Sequence, residues 1–223
     1  MGRGNKMNIW KVSLKATSDF HTAGKSSGST IDYLKNSEDM PYIPATHIKG
    51  VMRTEAERII RTLKDVNCWV TGDPDQKEVS EENKRKIRSC RDLSDETCDV
   101  CRIFGTPNDD NKYTEGKIRV TDFVYTEGNK STSARMHVSI DRDMLSNTGG
   151  GLYRTFAVPS GTVFSGYFII RNLSDDDNKL LWGALHSMCH YGLGGERSRG
   201  MGSFEVAGIK EIKYEQFCTE VDL

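Results

Sequence analysis

Two segments carry apolar residues at helical spacing, and nearly every other patterned segment alternates. Ile48, Val51, Met52, Ala56, Ile59, Ile60 and Leu63 recur every three or four residues behind Pro44, with Thr46 as a candidate cap. Leu181, Ala184, Leu185, Met188 and Cys189 do the same behind Ser174 and Asp177, which make a capping-box start, and Gly192 is placed to end that helix. Around these lie strand-like runs: Trp10 to Ala16, Lys117 to Tyr125, Arg135 to Ile140, Leu152 to Val158, the apolar run Val163 to Ile170, and a last strand beginning near Phe204. In the run from Arg135, Met136, Val138 and Ile140 share one face, and Arg135, His137 and Ser139 the other.

The order strand, helix, strands, helix, strand is the split βαβ plan of an α+β fold, ferredoxin-like or RRM-like. In 223 residues it fills one domain, 1–223. Residues 17–40 read as a polar loop. Residues 67–116 show no periodicity and hold most of the cysteines, and they read as an insertion that needs help, such as a metal, to pack. Gly149-Gly150-Gly151 marks the turn of a hairpin.

The 31 basic and 32 acidic residues nearly cancel, so affinity for nucleic acid has to come from a local basic patch. No apolar run reaches the length of a membrane span, and the first residues lack the apolar core of a secretory signal. A soluble, cytoplasmic protein without a membrane partner is expected. Gly24-Lys25-Ser26 imitates the end of a P-loop, but Asp19 stands where that loop requires glycine.

Chemistry concentrates in two places. Residues 192–202 read Gly-Leu-Gly-Gly-Glu-Arg-Ser-Arg-Gly-Met-Gly. Glycines let backbone N–H groups approach a phosphate, while Arg197, Ser198 and Arg199 add charge and donors, a combination suited to a sugar-phosphate backbone. The second place is Pro41-Tyr42-Ile43-Pro44-Ala45-Thr46-His47-Ile48-Lys49-Gly50-Val51-Met52-Arg53. Its basic residues sit at a helix start, against the dipole, which makes sense if an anion binds there. Alone, the segment fits a solvated helix face equally well.

Together, the Pro-x-Ile-Pro-x-x-x-Ile-Lys-Gly-x-x-Arg pattern and the later Gly194-Gly195-x-x-Ser198-Arg199-Gly200-x-Gly202 loop resemble the RAMP superfamily of CRISPR proteins, most of all the repeated backbone subunit of type III complexes of the Csm and Cmr kinds. Ser139-Ile140-Asp141-Arg142 and Val158-Pro159-Ser160-Gly161 resemble that family's β-hairpin thumb and the strand after it, which puts the thumb region at 126–158. The resemblance implies an RRM-like core whose copies stack on a CRISPR guide RNA, with large and small subunits as further partners. It places Lys49, Arg53, Gly194, Gly195, Arg197, Ser198 and Arg199 on the guide backbone, with Arg135 and Arg142 as further candidates.

Cys98 and Cys101 form a Cys-x2-Cys knuckle, and Cys90 supplies a third thiol for a structural zinc. For the fourth ligand the resemblance favours His47, and Cys68 stays open. Cys189, on an apolar helix face, reads as a small buried hydrophobe. The resemblance also implies an aspartate, in the loop after the first strand, that cuts paired target RNA with magnesium or manganese. Asp32 matches its spacing; Asp19, Glu38 and Asp39 are rivals. Two alternatives share most of these features: a scaffold subunit that binds guide RNA without cutting, and a zinc-stabilised RRM-like RNA-binding module outside CRISPR, which would stack bases on strand aromatics that Lys117 to Tyr125 does not supply.

Overall fold

In the computed structural model, residues 7–64, 97–106, 115–138, 140, 143 and 152–221 are described. The central sheet is antiparallel. Its strands are β1 (Met7–Ala16), β4 (Tyr42–Ile43), β5 (Ile118–Val120), β6 (Phe123–Glu127), β9 (Val163–Arg171) and β10 (Phe204–Ile212), ordered β10-β1-β9-β6-β4, with β5 also on β9. Helix α1 (Ala45–Leu63) follows β1, and α3 (Asp175–Tyr191) follows β9. Leaving out the short β4, the last strand lies beside the first and the first beside β9, which is the ferredoxin-like arrangement that the order of elements implied.

Period two in β1 divides its residues between two layers. Val12, Leu14 and Ala16 are fully buried with Phe164 and Phe168 of β9 against the helices, where Ile48, Met52, Leu181, Leu185 and Met188 meet them. Ile9, on the opposite face, packs with Ile212 and Phe217, the latter from α4 (Tyr214–Glu220). Glu220 of that helix accepts from Lys11 Nζ at 2.6 Å and from the Tyr167 hydroxyl.

Four sequence readings change. The cap of α1 is Pro44, not Thr46: Pro44 makes no side-chain cap bond, and the first free N–H, that of Ala45, donates instead to Asp122 Oδ1 at 2.7 Å. The segment 17–40 is not only loop. It contains β2 (Ala23–Ser27) and β3 (Thr30–Tyr33), which join β8 (Leu152–Ala157) and β7 (Ser133–Val138) in a second sheet ordered β2-β3-β8-β7. The run Lys117 to Tyr125 is two strands, β5 and β6, both on β9 and interrupted at Thr121 and Asp122.

The fourth change concerns 67–116, of which 67–96 and 107–114 lie outside the described residues. Residues 99–104 form helix α2 (Asp99–Phe104), with Val100, Cys101, Ile103 and Phe104 buried. Arg102 of α2 grips the 1% exposed carboxylate of Asp177 through Nη2 at 2.5 Å and Nε at 3.1 Å, so this part packs on α3 through apolar and ionic contacts. Asp177 also completes the capping box with Ser174. Burial alone would raise its carboxyl pKa, but the hydrogen bonds from Arg102 and Ser174 outweigh that and hold it below the usual range.

Strands β7 and β8 are antiparallel neighbours, Val138 opposite Leu152; 139, 141, 142 and 144–151 between them lie outside the described residues. Met136, Val138 and Leu152 are exposed on one face of this sheet. The other face, bearing Arg135, His137, Tyr153 and Thr155, is the more buried.

Candidate nucleic-acid interface

The glycine-rich segment leaves α3 at Gly192 and closes on itself through Leu193 N–H to Gly202 C=O at 2.8 Å. Three groups outside the loop then seat it. Gly194 N–H donates to His47 Nε2 at 3.1 Å, Gly195 N–H to His21 C=O at 2.8 Å, and Gly202 N–H to Asp19 C=O at 2.8 Å. Gly194 has φ +80°, and a Cβ there would sit 2.2 Å from the His21 carbonyl oxygen, so both conformation and space require glycine.

On this seat residues 197–199 form a 3-10 turn that leaves Arg197, Ser198 and Arg199 exposed. The second sheet braces the turn. Arg135 Nη1 donates to Arg199 C=O at 3.4 Å, and Arg199 Nη1 reaches the Tyr153 hydroxyl at 3.5 Å. His137 stacks on Tyr153 with centroids 4.7 Å apart and brings Nε2 to 3.3 Å from Glu196 Oε1. The Asp19 carboxylate accepts from Ser133 Oγ at 2.7 Å and lies 3.7 Å from Arg135. Two exposed guanidinium groups and a hydroxyl thus stand on a rigid ledge between the two sheets, the kind of surface that holds phosphates.

His47 has a defined chemical state here. Accepting the Gly194 N–H requires a bare Nε2, which in a neutral imidazole puts the proton on Nδ1. Burial, and then the charge of Arg197, lower its pKa from the usual histidine value and favour that neutral form. In this arrangement Nε2 is taken by the Gly194 N–H, and six residues of helix, about 9 Å of rise, separate His47 from Arg53, which touches Cys101. Cys98 does have knuckle geometry: it caps α2 and its Sγ accepts the Cys101 N–H at 3.5 Å. Cys90 and Cys68 lie outside the described residues, and among the described residues no three His, Cys, Asp or Glu side chains are grouped to hold a metal.

Arg53 and Lys49 part company. Arg53 is 14% exposed and donates to Gly105 C=O at 2.7 Å, to Cys101 Sγ at 3.3 Å and to Glu57 at 3.3 Å, so it clamps α2 to α1. Lys49 instead faces a concavity lined by Thr106, Glu115, Gly116 and Arg119. Burial, then Arg53 and Arg119, hold its ammonium below the usual lysine range. Arg142 lies outside the described residues.

Asp32 stands on β3, not in a loop. Its Oδ1 accepts its neighbour's N–H, from Tyr33, at 2.8 Å, and its Oδ2 lies 3.4 Å from Lys35 Nζ. Tyr33 packs on the main core, so strand alternation turns Asp32 to the other face of the second sheet, away from the glycine ledge. Of the rivals, Asp19 is committed to the ledge, while Glu38 and Asp39 are exposed in the following turn. His21, Asp19 and Glu196, which shape the ledge, carry no periodic signal; only their nearness in sequence to strand one and to the glycines could have pointed to them.

The RAMP superfamily matches this chain over residues 13–205, and the chain belongs to it. Its fold is shared by a chain of a "Type IV-B CRISPR Complex", at TM-score 0.60 and 15% identity over 92% of this chain and 91% of that one. It is shared as well by a chain of "Type III-B Cmr-beta bound to cognate target RNA", at TM-score 0.57 and 16% identity over 93% of this chain and 61% of that one. No curated protein sequence matches. Among the described residues no helix is long and apolar enough to cross a membrane.

Proposed function

We propose that this protein is a guide RNA-binding backbone subunit of a CRISPR effector complex, of the type III kind, and that bound target RNA is cut beside Asp32. The observation that carries the RNA-binding part is the ledge: exposed Arg197, Ser198 and Arg199 held on a seat of three backbone N–H bonds. With a near-neutral chain, such a local site is what can attract a polyanion. Phosphate contacts need no base readout, because pairing between guide and target supplies sequence. Lys49, in its own concavity, is a second phosphate contact, and Arg135 acts through Arg199. The family membership and the likeness to chains of two CRISPR complexes support the partners: guide RNA, target RNA, further copies of this chain, and large and small subunits.

The test is the salt dependence of RNA binding. Replacing Arg197 and Arg199 with Ala lowers affinity and reduces the slope of log affinity against log salt by roughly 0.7 per lost contact on a single strand. Arg53→Met is the control, because its donors are spent inside the protein: the slope stays. An unchanged slope in the double variant refutes the ledge as a phosphate site.

Cleavage rests on Asp32. The carboxylate would hold magnesium or manganese, which would supply charge neutralisation at the phosphate, or would take the proton of a 2′-hydroxyl as its oxygen bonds to phosphorus and the P–O5′ bond breaks, leaving a 2′,3′-cyclic phosphate and a 5′-hydroxyl, the protein's main contribution being in-line geometry. The Lys35 ion pair favours the second reading, a scaffold that binds and does not cut, since it occupies the carboxylate. In assembled complexes Asp32→Ala keeps guide and target binding and abolishes the evenly spaced cuts. If wild-type complexes do not cut a matched target in either metal, the scaffold reading stands.

A further inference from the structure

Strand β10 forms one edge of the central sheet, hydrogen-bonded to β1 on one side, and among the described residues no strand pairs with its other side. The backbone donors and acceptors of Phe204–Ile212 that turn away from β1 are therefore open to another strand, and Glu205 and the run from Ala207 to Glu211 are exposed. The register with β1 fixes where the side chains stand. Glu205 lies opposite Lys15 and Lys210 opposite Lys11, on the face away from α1 and α3. Val206 lies opposite Leu14 and Ile209 opposite Val12, on the helix side, and Ile209 is left 38% exposed. A bulge at Ala207, the residue without a partner in β1, lets Glu205 and Lys210 share a face despite the odd spacing between them.

Exposed edges are commonly guarded by a charged side chain, a proline or a bulge. This edge has no proline, and its charges are of both signs, placed so that a two-fold rotation makes them complementary. In an antiparallel pairing of β10 with itself, centred between Ala207 and Gly208, Glu205 of each copy faces Lys210 of the other and Val206 faces Ile209, each pair on one side of the joined sheet. At the centre the two small residues oppose each other, and a Cβ on Gly208 would meet nothing within 4 Å, so the backbones have room to approach. Among the described residues Lys210 is in no ion pair, while Glu205 lies 3.4 Å from Lys15 with both side chains about half exposed. The far edge of the sheet is the two-residue β4, too short to take a strand in the same way, so the contact closes on itself and does not propagate. We propose that two copies of this chain associate edge to edge through β10, joining their central sheets in a two-fold contact that does not involve RNA.

Sedimentation equilibrium of the full chain, freed of nucleic acid, reads the association. Wild type dimerises as its concentration rises. Glu205→Lys and Lys210→Glu, at exposed positions where the fold is not at stake, each set like charges against each other at both symmetric positions and raise the dimer dissociation constant by about ten-fold or more. Combining the two reversals recovers most of that loss, the remainder being the new repulsion from Lys15. Replacing Arg197 and Arg199 together with Ala leaves the dimer intact, which separates a protein contact from copies bridged by RNA. A chain that stays monomeric at every concentration overturns the inference. So does a dimer that neither reversal weakens, that the combined variant does not recover, or that disappears with Arg197 and Arg199. The RNA-binding reading is independent of this outcome, since a monomeric chain that binds RNA with the salt slope set by Arg197 and Arg199 leaves it standing.

Discussion

Gly194 and Gly195 are neighbours in one loop, and the structure assigns them opposite responses to the same methyl group. At Gly194 alanine must adopt φ +80°, which costs about 1–2 kcal/mol for an L-residue, and its Cβ would lie 2.2 Å from the His21 carbonyl oxygen and 2.9 Å from Phe20 Cε2. Neither neighbour can turn aside, because Phe20 is in the core and the carbonyl is backbone. Relief requires the loop to lift, which breaks Gly194 N–H to His47 and Gly195 N–H to His21, at about 1 kcal/mol each. The expected cost is roughly 3–4 kcal/mol. At Gly195 φ is not positive and the nearest atom to a Cβ is His21 Cδ2 at 3.4 Å, an ordinary contact, so alanine costs less than about 1 kcal/mol. For a domain of this size the first change lowers Tm by roughly 6–16 °C and the second by no more than about 4 °C. Denaturant unfolding of both variants, followed by RNA binding at fixed salt, measures the difference. Equal stabilities would refute the seating argument, and an unstable Gly194→Ala that binds RNA at wild-type affinity would show that the seat does not matter for binding.

Arg102→Met leaves the Asp177 carboxylate buried with Lys117 at 3.7 Å as its remaining ion partner, and is expected to cost about 3–5 kcal/mol in denaturant unfolding. Because the folded pKa of Asp177 is depressed, its stabilisation is present above the unfolded aspartate value near pH 4 and is lost as pH falls through the lower folded value. Wild type therefore loses stability on acidification through that window, and the variant loses less; parallel curves would contradict the assignment. For zinc, elemental analysis of native protein should find about one ion per chain, lost in Cys98→Ser and Cys101→Ser, and comparing His47→Ala with Cys68→Ala identifies the fourth ligand. Native protein without zinc would refute the site.

The core was legible because its signals are local. Period two in β1 and helical spacing in α1 and α3 record which residues face which layer, and the sheet order followed from their sequence. Helix α2 was hidden because its six residues alternate charges with buried side chains too briefly to show a period, and because the evidence for its packing, Arg102 on Asp177, joins residues far apart in sequence. Strands β2 and β3 were hidden for a similar reason: Ala23–Ser27 is polar and small, and its pairing comes from β3, which is itself anchored on β8. The glycines and arginines of the ledge were visible as residue types. Their seat was not, since two of its three acceptors are backbone carbonyls, of His21 and Asp19, which any residue could supply. Arg53 shows the converse: a basic residue at a promising position whose partners turn out to be protein.

Glu196 explains how the ledge stays basic. It is the one acid between Gly192 and Gly202, and on a flexible loop its carboxylate could neutralise either neighbouring arginine. It does pair with Arg199, whose Nη1 lies 3.4 Å from its Oε1, while its backbone is held at φ +55°, a left-handed conformation that costs a non-glycine residue about 1–3 kcal/mol and persists where the surroundings enforce it. They do so here through its own carbonyl, which accepts the Arg199 N–H at 2.8 Å and the Met201 N–H at 3.4 Å, while His137 Nε2 lies 3.3 Å from Glu196 Oε1 on the sheet side. Among the described residues the Arg197 side chain makes one long bond, to Gly192 C=O at 3.4 Å, and Arg199 is 59% exposed while lying 3.4 Å from the same glutamate. A half-buried acid set behind two exposed guanidinium groups offsets part of the charge of Arg199, with which it pairs, while the exposed Arg197 and the outer face of Arg199 still meet solvent and any bound phosphate. The second sheet then braces this turn through Arg135 on the Arg199 carbonyl and Tyr153 beside the Arg199 guanidinium, so a loop that leaves the first layer's helix is positioned by both sheets.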